Sequence, residues 1–303
     1  MRGIVVLGHP RSGTTLFRSL LDAHPDLCAP AETYLLRACA RFLEAEPFGD
    51  GLQAGVLDAL AFSGVDPDDV IGRVRELAFG LLDDIAARSG KPVWADKTAY
   101  DVFHVDAVER LCGEHVRYVL MFRHGLDVAM STVDKVSQMN RWIAELHRYV
   151  VADPRPLHAC TQAWVDTTER LLRLEAERPE QCVRLRYEDL VADPASELTR
   201  VLAALGRPTD VPALLEAAAG RAPTPGFGDW KAFSQAGVSA GSVERRASLD
   251  PTTRGELAEL ANPALVSLGY APVRVPAKKS ASRARRQLEL GLLAAHMKAD
   301  QGS

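Results

Sequence analysis

Two groups of residues in this 303-residue chain have the types and spacing to do chemistry. One is the run Gly8-His9-Pro10-Arg11-Ser12-Gly13-Thr14-Thr15, and the other is a carboxylate, Glu32, with a lysine, Lys97, far along the chain. The spacing from Gly8 to Gly13 suits a loop whose backbone N–H groups, with the first turn of the next helix, surround an anion. A nucleoside-triphosphate loop follows its second glycine with Lys and Ser/Thr, which serve the β/γ-phosphates and Mg²⁺. Here Thr14-Thr15 stand in that place and the cation comes earlier, at Arg11. A planar guanidinium suits bidentate capture of one phosphate group, so the loop asks for an anionic donor handled without a metal.

A second cation follows the most apolar stretch of the chain. Val116–Phe122 ends in Arg123-His124-Gly125, where a triphosphate enzyme would place an Asp for Mg²⁺. Ser131 lies eight residues on, within the following helix, and can face the same phosphate as Arg123. Two phosphate sites imply a doubly phosphorylated nucleotide. Lys97 follows the short strand Lys91–Ala95 and falls in the zone where α/β sheets hold ligands; a surface ion pair with Asp96 is the alternative. Glu32 sits on the turn Ala29–Thr33, returning past the mouth of the loop, where a carboxylate can act as a base.

The elements that must position these residues are legible from periodicity and punctuation. The strand Ile4–Leu7 leads into the loop, and the helix Leu16–Ala23 stops at His24-Pro25. A helix is expected from about Tyr34 to Ala45, and the pattern from Asp50 to Ser89 is helical, with Leu77, Leu81 and Leu82 as an apolar stripe. That layer either walls a substrate pocket or is simply solvated. A helix over Asp101–Cys112, a lid or acceptor-side segment over Asp134–Arg155 and a helix over Leu157–Arg178 with Trp164, Leu171 and Leu174 inward come next. The strand Cys182–Arg186, a turn at Tyr187–Leu190, helices at Asp193–Gly206 and around Leu214, a Gly/Pro/Ser-rich loop over Pro223–Gly241 that reads as a lid, and a helix over Pro251–Leu268 complete the body. Strands alternating with helices predict an α/β, P-loop-like three-layer fold with a central, mostly parallel sheet flanked by helices. One domain is expected over 1–276 and a basic tail, helical or disordered, over 277–303.

Composition narrows the partners. With 47% hydrophobic and 25% charged residues and a net charge of −4, the chain is globular and lacks the basic footprint of a nucleic-acid binder. Five cysteines without a C-x-x-C pair argue for neither a disulfide framework nor a zinc site, and fit a reducing, cytoplasmic setting. The apolar run at the start is too short for a signal peptide or membrane span. Homo-oligomerisation is left open.

Taken together, Pro10-Arg11-Ser12-Gly13-Thr14-Thr15, Lys97, the Arg123 and Ser131 pair, Arg186-Tyr187-Glu188-Asp189-Leu190 and Trp230-Lys231 resemble the sulfotransferases that use 3′-phosphoadenosine 5′-phosphosulfate, over residues 4–271. Leu21-Asp22-Ala23-His24-Pro25 followed by Glu32-Thr33 is most similar to the tyrosylprotein branch and its bacterial relatives. The resemblance implies that Pro10, Arg11, Ser12, Gly13, Thr14 and Thr15 hold the 5′-phosphosulfate and that Arg123 and Ser131 hold the 3′-phosphate. It implies Glu32 as catalytic base, Lys97 as the cation facing the bridging oxygen, and no metal. An Arg-Lys-Gly triplet common in the cytosolic branch is missing, which leaves Arg221, Lys231, Arg245 or Arg246 to replace its phosphate contacts. Tyr34 stands where the tyrosylprotein branch has an arginine, which favours a small-molecule hydroxyl acceptor over an acidic peptide. His104 and His124 are alternative bases. The rival functions are a P-loop small-molecule kinase and a non-catalytic nucleotide-binding regulatory protein.

Overall fold

Alternate residues of the first strand feed two different cores, and that alternation sets the layers. In the computed structural model, which describes residues 1–48, 51–220 and 245–274, the chain runs β1 (Gly3–Leu7), α1 (Thr14–Ala23), β2 (Leu27–Cys28), α2 (Leu35–Phe42), β3 (Glu46–Phe48), β4 (Leu52–Ala54) and α3 (Val56–Phe62). It continues through α4 (Pro67–Arg88), β5 (Val93–Asp96), α5 (Val105–Cys112), β6 (Val116–Phe122), α6 (Gly125–Met139), α7 (His147–Ala152) and α8 (Pro156–Glu177). Then come β7 (Cys182–Arg186), α9 (Tyr187–Ala192), α10 (Pro194–Ala204), α11 (Val211–Ala219) and α12 (Pro251–Ser267).

Val5 and Leu7 of β1 pack with Trp94, Leu120, Phe79, Leu126, Trp164 and Leu265 on one face of the sheet. Ile4 and Val6 pack on the other with Ala95, Met121, Leu185, Phe17, Leu190 and Val201. Side chains two apart share a face of a strand, so a run apolar at every position must be covered on both sides. The main sheet has the order β2-β5-β1-β6-β7, and each of its pairings is parallel. The expected three-layer α/β architecture is what the chain adopts. From β1 the chain passes toward one edge of the sheet, and from β6 toward the other. The C-terminal mouth between these neighbours is therefore the topological switch point, where open α/β sheets bind ligands.

Several local expectations change. Leu77 and Leu81 of α4 are exposed at 59% and 44%, and only Leu82 of that expected stripe is buried. At 100° per residue Leu82 lies well round from Leu81, and it joins Val70, Ile71, Ala78, Phe79 and Ala86 on the inward face. The stretch read as helical from residue 50 begins instead with β4, which pairs antiparallel with β3; Gly51, at φ 83°, supplies a left-handed turn residue that favours a hairpin. The helix expected over Asp101–Cys112 opens as a tight 3₁₀ segment, Ala99–His104, before α5. Tyr187–Leu190 falls within the short helix α9 rather than a turn. The lid expected over Pro223–Gly241, with Trp230 and Lys231, and the basic tail 277–303 lie outside the described residues. Among the described residues no helix is long and apolar enough to cross a membrane.

Candidate active site

The loop after β1 is shaped by what its glycines touch. A Cβ on Gly8 would stand 2.6 Å from the Met121 carbonyl oxygen of β6. One on Gly13, whose φ is 89°, would stand 2.3 Å from the Tyr187 ring. Only a residue without a side chain allows both approaches. Arg11 also has a left-handed backbone, φ 78°, and the loop closes through Ser12 N–H donating to His9 O at 3.0 Å. Helix α1 then starts without a side-chain cap and without an acid in its first turn. Its leading amides therefore face the mouth as an anion receptor. The Ser12 hydroxyl, buried, has no hydrogen-bond partner among the described residues.

Arg11 Nε donates to Ser131 Oγ at 3.0 Å. Arg123 Nη1 donates to the Arg11 carbonyl at 2.8 Å, and its guanidinium lies 4.6 Å above the Tyr187 ring centre. The sequence assigns Arg11 to one phosphate and Arg123 with Ser131 to another. In the structure the three form one chain of contacts, because neighbouring strands end about 5 Å apart and their loops meet. Tyr187 underlies both halves, as the ring below Arg123 and the wall against Gly13, and its only sequence signal is an aromatic directly after β7. Glu188 accepts from His124 N–H at 3.0 Å and from the Tyr270 hydroxyl at 2.6 Å, which ties the β7–α9 corner to the Arg123 loop.

Glu32 and Lys97 meet. Lys97 Nζ donates to Glu32 Oε1 at 2.7 Å, with side chains 1% and 5% exposed. The alternative of a surface pair between Lys97 and Asp96 gives way to a buried pair between segments 65 residues apart. Ala99 N–H also reaches Glu32 Oε1, at 3.4 Å, and the Tyr34 hydroxyl donates to Oε2 at 3.3 Å. The turn carrying Glu32 is fixed from two sides. From α1, Arg18 Nη1 donates to Ala29 O at 2.8 Å and Asp22 Oδ1 accepts from Ala29 N–H at 3.1 Å. From the end of β5, Asp96 Oδ1 accepts from the Thr33 hydroxyl at 2.7 Å, and Thr98 Oγ1 accepts from Tyr34 N–H at 3.2 Å. Sequence reading missed Arg18, and it named Asp22 and Thr33 for the resemblance without these contacts; the i, i+4 pairing of an Arg and an Asp on α1 is the signal that marks two of the three.

Electrostatics separates the titratable groups. Burial pushes Asp96 up to about 6, against the Thr33 hydrogen bond and the Lys97 ammonium. Burial, with the Asp96 charge beside it, raises Asp101 well above the usual carboxylate value. Tyr34 and Tyr100 are both raised, by burial and then by the Glu32 carboxylate, and so stay protonated donors. Tyr100 also feels the Arg11 charge, which opposes the rise. His124 is lowered to about 3 by burial and by Arg246, Arg123 and Arg186, and its ring lies edge-on to Tyr270. His104 is lowered by burial and Arg37 and faces Glu44 at 3.8 Å.

Arg245 donates to Asp134 at 2.5 Å, and Arg246 holds Asp127 through its backbone N–H at 2.7 Å and Nη1 at 2.8 Å. Both candidates thus lie along α6, the helix of Ser131, on carboxylates; Lys231 and Arg221 lie outside the described residues. Among the described residues no group of three or more His, Cys, Asp or Glu is placed to hold a metal ion.

A parallel sheet whose switch point carries a glycine-shaped loop, two guanidinium groups and a buried Lys–Glu pair defines an α/β protein of the P-loop-like kind. Residues 3–211 match the model of the Sulfotransferase family, and the chain belongs to that family. A putative protein-tyrosine sulfotransferase of Caenorhabditis briggsae is 27% identical over 204 residues, 65% of this chain and 63% of that protein. Nodulation protein NoeE of Sinorhizobium fredii is 30% identical over 210 residues, 66% of this chain and 49% of that one. The chain therefore matches 49–63% of the length of these relatives. Among solved structures, the sulfotransferase domain from the curacin biosynthetic pathway shares the fold, with a TM-score of 0.63 at 21% identity over 89% of this chain and 99% of that one. The sulfotransferase domain from the Synechococcus PCC 7002 olefin synthase does so at a TM-score of 0.60, 21% identity, covering 89% and 95%.

Proposed function

We propose that the chain transfers a sulfuryl group from 3′-phosphoadenosine 5′-phosphosulfate to a hydroxyl of a small-molecule acceptor. The observation that carries this reading is the buried Lys97–Glu32 pair, set beside a cradle built for an anion. The donor fits the residues present: the uncapped start of α1 and the Ser12 hydroxyl, without a partner among the described residues, call for an anionic acceptor of hydrogen bonds. Pro10 to Thr15 with Arg11 would hold the phosphosulfate end, and Arg123 with Ser131 the 3′-phosphate; Arg245 and Lys231 remain further candidates for the nucleotide. Bound there, the donor supplies an activated sulfuryl group.

The chain's own residues do the rest. Glu32 takes the proton of the acceptor hydroxyl, which raises the nucleophilicity of that oxygen. A neutral Glu32 no longer holds the Lys97 ammonium by charge. Lys97 is then free to face the negative charge growing on the leaving phosphate oxygen, where a cation already at hand lowers the barrier. Proton transfer and charge stabilisation are thereby linked through one 2.7 Å contact.

A small-molecule acceptor is supported by the charge beside the base. Arg37 on α2 is paired with Glu145 at 2.5 Å, with side chains 18% and 11% exposed, so the cation on that wall is already neutralised. The test is donor consumption over a panel of phenols and alcohols, with Glu32→Ala and Arg123→Ala beside the parent. Glu32→Ala should bind 3′-phosphoadenosine 5′-phosphate as the parent does and lose turnover by about 10²-fold or more, the usual weight of a general base. Arg123→Ala should weaken nucleotide binding. Parent-level turnover in the first variant overturns the base assignment, and parent-level affinity in the second overturns the 3′-phosphate site.

A further inference from the structure

The second oxygen of Glu32 is already in use. Lys97 and the Ala99 amide occupy Oε1, and the Tyr34 hydroxyl donates to Oε2 at 3.3 Å. A general base needs its acceptor to donate a hydrogen bond from a hydroxyl, and here a hydroxyl of the chain makes that bond. The backbone places it there under strain. Tyr34 has φ 57° and ψ 6°, a left-handed conformation that a bulky residue adopts only at a cost and that tends to persist at functional sites. Its amide is pinned by Thr98, and the preceding Thr33 is pinned by Asp96. The tyrosine is therefore held in place from the β5 end of the site rather than by its own helix, whose N-terminus it enters without a side-chain cap.

Tyr34 is also half of an aromatic wall. Its ring stacks on Tyr100 with centres 6.3 Å apart and planes 16° from parallel. The two rings come from the segments that follow the two members of the buried pair, Tyr34 two residues after Glu32 and Tyr100 three after Lys97. Both rings are partly exposed, and both phenols remain donors beside the carboxylate.

Resting on the assignment of Glu32 as base, we propose that Tyr34 is an internal stand-in for the acceptor: its phenol keeps the hydrogen-bonding place that a substrate hydroxyl must take, and with Tyr100 it offers a flat aromatic face. The chemistry this recognises is a hydroxyl on a planar, phenol-like ring. Such a ring can slide along the Tyr34–Tyr100 face while its hydroxyl displaces Tyr34 from Oε2, trading one phenol–carboxylate bond for another. A flexible aliphatic alcohol displaces the same bond without gaining the ring contact.

The test compares the parent with Tyr34→Phe and Tyr34→Leu, at saturating donor, over matched phenolic and aliphatic alcohols. Tyr34→Phe keeps the ring and removes the competitor, so the KM for phenols should fall about five-fold, the worth of one modest hydrogen bond. Calorimetric affinity of a phenol for protein saturated with 3′-phosphoadenosine 5′-phosphate should tighten by a similar factor. Tyr34→Leu removes the competitor and the face together, so phenols should lose their advantage over aliphatic alcohols. If Tyr34→Phe lowers kcat with KM unmoved, the hydroxyl orients Glu32 instead and the proposal is overturned. Equal selectivity in parent and Tyr34→Leu also overturns it. A parent that consumes no donor with any acceptor sinks the sulfuryl-transfer reading itself, whereas an active parent with unresponsive Tyr34 variants sinks only this inference.

Discussion

Removing the Lys97 side chain would strand a carboxylate in a space sealed to 5% exposure. An ion pair of this kind is worth little over a well-packed apolar pair, yet breaking it by deleting one member costs about 3–5 kcal/mol, because the other charge stays buried. Lys97→Met should therefore destabilise the fold strongly, and Glu32→Gln should do so less, since an amide can still accept from the ammonium. The double variant Lys97→Met with Glu32→Gln should recover much of the loss. Urea unfolding of the four proteins gives the coupling directly; additive losses would mean that Lys97 and Glu32 do not depend on one another. The same residue scale explains why the pair was half legible in the sequence. Glu32 and Lys97 each stand at a turn or strand end, where ligand chemistry is expected, but nothing in their spacing says that they touch. The contact joins residues 65 apart and exists only because β5 lies between β2 and β1.

At the scale of elements, α1 does two jobs. Its N-terminus forms the floor of the anion cradle, and one face of its body grips Ala29 on the turn that carries Glu32, through Arg18 at the carbonyl and Asp22 at the amide. The proposed donor site and the proposed base are thereby both tied to one helix. Arg18 is 7% exposed and, besides the Ala29 carbonyl, feels the charges of Asp22 and Glu32. Arg18→Met keeps most of its packing and drops the carbonyl bond, so the Glu32 turn should loosen. A displacement of a positioned group by even 1 Å costs up to about 10²-fold in rate, so kcat should fall by about ten-fold or more while affinity for 3′-phosphoadenosine 5′-phosphate holds. A loss of nucleotide affinity with kcat preserved would place Arg18 in the cradle and not in the support of the base. Most elements were visible in the sequence because their apolar periods and proline stops are local: His24-Pro25 ends α1, and Pro67 and Pro156 open α4 and α8. What was not visible was set by packing at a distance. The inward face of α4 is chosen by Trp94 and its neighbours, so Leu77 and Leu81 face water although their type suggested the core. The fusion of the two expected phosphate receptors into one chain of contacts depends likewise on β1 and β6 being neighbours.

Over the whole molecule, the C-terminal mouth of the sheet gathers buried titratable groups whose preferences oppose each other. His9 follows β1 and is lowered to about 4, by burial against a hydrogen bond to Pro10; His124 follows β6 and is lowered to about 3. Their ordinary value is 6.5. As pH falls below that, the unfolded chain takes up protons that the folded chain refuses, so stability present in full above 6.5 is lost on the way down to about 4 and 3. Asp96 and Asp101 act with the other sign. Their ordinary value is 3.8; Asp96 is raised to about 6, and Asp101 is raised well above its ordinary value by burial and by Asp96, with Arg37 and Lys97 opposing and Glu32 adding to the rise. As pH rises from 3.8 through 6, the folded chain holds protons that the unfolded chain has released, so stability is lost in that direction. Both oxygens of Asp101 lack a hydrogen-bond partner among the described residues, so the cost of ionising it is not offset by a donor. The two losses run in opposite directions over the same range, so stability measured by urea unfolding from pH 4 to pH 8 should change less in the parent than in a variant that has lost one set of groups. Asp101→Asn, which cannot ionise, should remove part of the loss that sets in as pH rises above 3.8. His124→Asn should do the reverse, removing part of the loss that sets in as pH falls below 6.5. Parallel pH curves for the parent and Asp101→Asn would mean that this carboxyl keeps the same proton affinity folded and unfolded, and that the mouth of the sheet is wetter than its burial implies.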